Sequence, residues 1–156
     1  MSEGYYNPFQ GEYLTVPVRF RDDFNKYCRS SSNLDQAPFR RMVDMWFLAL
    51  CVSIKKNLSP VDLSSYSEKE KYKIIDGTIF SSDPWRIQFL LLLGIAMSDD
   101  INIVTHPAKI MSLANSLAVA GLPEVIAMLK EGADEPVWNL GDSIEALIQE
   151  EHVNEY

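Results

Sequence analysis

Two histidines, two cysteines and 22 aspartates and glutamates are the side chains from which this 156-residue chain could build a catalytic or metal centre. His106 stands just before Pro107, and His152 lies in the acidic tail "EEHVNEY". Neither belongs to an H-E-x-x-H pattern, the spacing that sets two imidazoles on one helix face around zinc. Cys28 and Cys51 have no Cys or His neighbour at metal-ligand spacing, and two cysteines make no disulfide framework. Cys51 sits in an apolar run and reads as a small buried hydrophobe. No G-x-S-x-G elbow, G-x-G-x-x-G turn or G-x-x-x-x-G-K-[ST] loop occurs, so the usual nucleophile and phosphate cradles are missing. A metal-dependent nuclease commonly carries an acid two residues before a lysine, so that both reach one metal-bound phosphate. None of the lysines here has one; "SEKEKYK" has the wrong spacing and reads as a solvated charge run. Asp22-Asp23 and Asp99-Asp100 are adjacent pairs, which point apart on a helix. Only acids converging from distant segments could supply a catalytic site. The sequence predicts a non-enzyme with no cofactor and no metal.

The basic residues suggest a different chemistry. "LTVPVRFRDDFNKYC" followed by "APFRRMVDMWFLAL" has the strand–helix–helix order of a ribbon–helix–helix DNA-binding unit. There, two chains pair one strand each and read base edges in the major groove. Under that reading Thr15, Arg19 and Arg21 face the bases, while Lys26, Arg40 and Arg41 lie near phosphates. Charge weighs against it. The net charge is −8. Residues 1–56 carry only +2, and residues 57–156 carry −10. Phosphate neutralisation supplies most non-specific DNA affinity. Pro17 also removes a ladder donor from the strand. DNA is therefore the secondary expectation, and a basic protein surface the better match to the acidic remainder.

The elements read as follows. Residues 1–12 form an arm or irregular lead-in, residues 13–18 a strand and residues 19–29 a helix with Phe20, Phe24 and Tyr27 on one face. A loop over 30–38 leads to a helix over 39–56 that is apolar on more than one side, which marks a central core helix or a shared interface. A polar loop and the short "IIDGTIF" follow. Asp83 and Pro84 open a third helix to about residue 97. Helix four spans 107–120 and ends at Gly121, helix five runs from Pro123 to 130, and a last helix covers 142–151. The expectation is a mainly α, compact helical domain of five to six helices over residues 13–151. One or two short strands lie near its start and middle, and residues 152–156 form a frayed acidic tail. The most apolar run, "IQFLLLLGIAM", is shorter than the roughly twenty residues of a membrane span. No leader pattern opens the chain, so the expected location is cytoplasmic.

From Met42 to Gly132 the chain carries "MVDMWFLALCVSIKKN", a polar loop, "DGTIFSSDPWRIQFLLLLGIAMSDDINIV" and "KIMSLANSLAVAGLPEVIAMLKEG". This order resembles a family of small accessory proteins encoded beside DNA phosphorothioation (Dnd-type) modification and restriction genes. The matching positions are Asp44 within an apolar helix, Leu91 to Ala96, the Asp100-Ile101-Asn102-Ile103 turn, and Ala118 to Leu122. The resemblance implies an accessory role in defence against foreign DNA and brings no catalytic residues. The expected function is therefore a non-catalytic adaptor of an anti-phage or DNA-modification system that works by protein contact. Trp46, Leu50 and Ile54 are its candidate interface if that helix is shared in a homo-oligomer. Trp85 and Trp138 are further anchor candidates, since Trp is enriched at interface centres, although a core position suits each of them better.

Overall fold

Leu14 and Val16 alternate with Thr15 and Tyr13, the period of a strand with one buried face. In the computed structural model, which describes residues 6–28 and 35–153 (for 151–153 the backbone alone), Tyr13–Pro17 forms β1. It pairs antiparallel with β2, Lys71–Asp76, opposing Val16 to Tyr72 and Thr15 to Lys73, with a bulge between Leu14 and Thr15. Pro17 ends the strand, where its missing donor costs least. The described part of the lead-in, residues 6–12, is docked through Asn7 and Phe9. Buried Asn7 donates to the Gly77 carbonyl and the Ser81 hydroxyl, both at 3.0 Å, and the Phe9 ring is fully buried against Phe80.

A 3-10 turn over Val18–Phe20 feeds α1, Arg21–Tyr27, shorter than the 19–29 helix expected. Cys28 leaves it in extended conformation and bridges Phe39, whose N–H donates to the Tyr27 carbonyl at 3.1 Å. That pairing also removes Phe39 from the second helix. Most of the expected 30–38 loop lies outside the described residues, as do residues 154–156. α2, Met42–Lys55, starts where the Asp44 carboxylate accepts the Arg41 backbone N–H at 3.0 Å. Val43, Met45, Trp46, Phe47, Ala49, Leu50, Val52 and Ser53 are all buried, so α2 is the central core helix.

α3 covers Pro84–Ser98, α4 Pro107–Lys130 and α5 Pro136–Val153. The expected break between residues 120 and 123 does not exist. α4 runs straight through Gly121 and Pro123. Gly121 is there because α2 crosses at that point: a Cβ on it would overlap the Ala49 carbonyl oxygen. Pro123 loses one helical hydrogen bond, and packing of Leu122 and Val125 on both sides of it keeps the helix continuous. The last helix also starts six residues earlier than expected, with Pro136 in its first turn. The chain is mainly α, with one two-stranded sheet among the described residues.

α4 has the length and apolar composition of a membrane span, a feature hidden when it is divided at Gly121. Here more than half of its apolar window is buried inside the protein. Its Asn115 joins three elements. The side-chain oxygen accepts the Thr15 N–H at 2.9 Å and the Trp46 indole N–H at 3.1 Å, and the amide donates to the Tyr13 carbonyl at 3.0 Å. One side chain thus satisfies two backbone groups of β1 that β2 does not.

Candidate functional site

The N-terminal ends of α2 and α3 meet in a cluster of four charges. Arg86, only 8% exposed, donates from Nη2 to Asp44 Oδ1 at 2.8 Å. Arg41 Nη2 donates to the same oxygen at 3.1 Å and lies 3.0 Å from Asp83 Oδ2, a charge contact without hydrogen-bond direction. Asp83 Oδ2 is also 3.9 Å from Arg86 Nη1. Burial alone pushes the Asp44 carboxyl up, but hydrogen bonds from Arg86 and Arg41, with their charges, outweigh it and hold Asp44 below the usual carboxylate range. The bond to Asp44 correspondingly raises Arg41. Asp83 stands at the start of α3, but it faces the arginines and does not cap the helix with its side chain.

Arg86 also orders the aromatic residues around it. Its guanidinium lies 4.8 Å from the Phe47 ring centre and 5.0 Å from that of Trp85. Phe47 in turn meets Trp85 edge-on at 5.2 Å and Phe89 at 5.1 Å. Trp85 is thereby held on the surface, 54% exposed, and opens an apolar stripe along α3. Trp85, Phe89, Leu92 and Ala96 follow one another at spacings of four and three residues, which keeps them on one face. Leu92 is 66% exposed, Met97 is also bare, and Ile101 in the next turn is 70% exposed. The opposite side of the helix carries the buried Ile87, Leu90 and Leu93. α3 is therefore apolar on its covered inner side and over most of its outer side, where exposed Gln88 lies between Trp85 and Leu92. Asp99 and Asp100 close its C-terminal end.

The sequence-derived candidates fall in several places. Trp46 and Leu50 are fully buried within the chain and present no surface to a second copy; Ile54 alone of that trio reaches the surface. Trp85 and Trp138 are both exposed, Trp138 by 63%, contrary to the core positions expected. β1 pairs with β2 of the same chain, and Asn115 takes the Thr15 N–H and the Tyr13 carbonyl on its other side. Thr15 stands on the outward face opposite Lys73. Arg19 lies over the Phe20 ring, Arg21 over Tyr72 and Lys26 over Tyr27, all three exposed. Arg40 is exposed, whereas Arg41 belongs to the charge cluster and is not a spare phosphate ligand. Of these candidates, Arg41 and Trp85 belong to one cluster, linked through Asp44 and Arg86.

Arg86, Phe47 and Phe89 complete this face together with Asp83, which the sequence marks only as the start of a helix. A signal existed in Arg86, the single charge between Pro84 and Ser98 in a mostly apolar helix. Such a charge must either reach solvent or meet a partner. Among the described residues, no group of three His, Cys, Asp or Glu side chains is placed to hold a metal ion. No family model, curated protein or solved structure matches the chain.

Proposed function

We infer that this chain is a non-catalytic accessory protein that works by protein–protein contact through the outer face of α3. The observation that carries the reading is the set of exposed apolar side chains Trp85, Leu92 and Met97 on α3, whose inner side is already packed, with Ile101 in the turn that follows. Contiguous apolar surface of this kind marks an interaction site. Its anchor, Trp85, is braced by Arg86 and Phe47, so little conformational freedom is lost on binding. Asp99 and Asp100 at one end favour a partner whose apolar ridge is flanked by basic residues, in keeping with the acidic balance of residues 57–156. The setting, a cytoplasmic anti-phage or DNA-modification system, rests on the sequence resemblance over residues 42–132 alone.

The test is capture of partners by the tagged protein from its native cells, with and without nuclease, for the wild type and for Arg19→Ala with Arg21→Ala. The reading expects one stoichiometric partner that survives nuclease and is retained by the double variant. Partners that vanish with nuclease or with the double variant would make DNA the bridge and overturn it.

A further inference from the structure

α5 returns along α4 and leaves a groove of about 510 Å³ between them, away from the α3 face. Its floor is apolar and small: Ala127 and Met128 from α4, Ala146 and Leu147 from α5. Its rim is acidic. α4 contributes Glu124, Glu131 follows directly after that helix, and α5 contributes Asp142 and Glu150. The groove is lined by one cation, Lys56, and its ammonium is held by Glu124 at 2.8 Å. Three uncompensated carboxylates therefore surround an apolar trough. On α5 the acids Asp142 and Glu150 stand eight residues apart, roughly 12 Å along the helix axis. The trough is already stiff at its closed end, where Asn139 donates to the Leu129 carbonyl at 3.2 Å and accepts the Asp134 N–H at 3.2 Å.

We propose that this groove seats a basic amphipathic helix of a protein partner, its apolar face on Ala127, Met128, Ala146 and Leu147 and its Lys or Arg side chains on Glu131, Asp142 and Glu150. The chemistry is that of helix-in-groove recognition, with apolar anchors one and two turns apart. The two alanines matter because they leave room for a partner's larger side chain. The carboxylate spacing matters because it selects cations two turns apart on that partner. The proposal deepens the adaptor reading with a second surface, and it stands or falls separately from α3.

The probe is a fluorescein-labelled leucine–lysine helix of about fourteen residues, two heptads long, with lysines flanking the leucine face. Binding to the full chain is read by fluorescence anisotropy. The triple variant Glu131→Gln, Asp142→Asn, Glu150→Gln should bind about tenfold or more weakly. A charge-matched control, Glu68→Gln, Glu70→Gln, Asp99→Asn, should stay within about twofold of the wild type, as should Leu92→Glu. Ala146→Trp, which fills the trough and adds no charge, should also abolish binding. Equal loss in the two triple variants would show that bulk charge attracts the peptide and would overturn the proposal. So would retention of full affinity by Ala146→Trp, or no binding to the wild type. Circular dichroism of each variant separates lost binding from lost fold.

Discussion

Replacing Asp44 with alanine tests whether the charge cluster holds the α3 face in place. The carboxylate is the hydrogen-bonded anchor of Arg86, it accepts from Arg41, and it caps the start of α2. Loss of the cap costs about 1 kcal/mol. An orphaned buried charge costs about 3–5 kcal/mol. The lower part of that range applies here, because Asp44 is partly exposed and Asp83 stays 3.9 Å from Arg86 to take up some of the charge. The sum expected is about 4–5 kcal/mol, or a melting temperature lower by roughly 8–20 °C for a chain of this size. Urea denaturation of Asp44→Ala reads it directly. If the cost is that of an orphaned charge, Arg86→Met in the same background restores about 2 kcal/mol, because it fills the space over Phe47 and Trp85 without a charge. The pH dependence follows from the same bonds. The folded Asp44 carboxyl titrates below its ordinary value of 3.8, so its stabilisation is complete above that value and disappears as pH falls through the lower folded value. The gap between wild type and Asp44→Asn should be constant at neutral pH and close in strong acid. A cost below about 1 kcal/mol, a double variant no better than the single, or a gap that persists in acid would refute the reasoning.

Other positions are equally open to test. Asn115→Leu leaves the Thr15 N–H, the Trp46 indole N–H and the Tyr13 carbonyl without their partner, and should cost about 3 kcal/mol or more in urea denaturation. Gly121→Ala places a methyl against the Ala49 carbonyl, and the forced separation of α2 and α4 should cost about 2–3 kcal/mol, whereas a helix end at residue 121 would tolerate the change. Cys28 has its thiol pushed up to about 12 by burial and then by Asp44, so it should react with a thiol reagent at pH about 8 only in denaturant. Rapid labelling of the folded protein at Cys28 would contradict its burial.

The reach of the sequence differed from element to element. The start of α3 was legible because Asp83 and Pro84 are local signals, and the core role of α2 was legible from its apolar residues on several sides. Gly121 and Pro123 misled because a glycine that ends a helix and one that lets another helix approach look the same without the neighbour. β2, "KYKIID", is short, partly polar and half-buried, and only its pairing with β1 makes it a strand. The α3 face was the least legible part. Trp85 read as core by composition, and its exposure follows from Arg86, whose own position depends on an acid 42 residues away.

The most direct test of the central claim is the affinity of the captured, nuclease-resistant partner for Leu92→Glu combined with Ile101→Glu. Both side chains are largely solvent-exposed, so the fold should survive, as thermal unfolding can verify. A charged residue under an apolar contact should weaken binding by about tenfold per position or more. Loss of the partner from a folded double variant is the result the account predicts. Wild-type affinity in that variant would remove α3 as the contact surface.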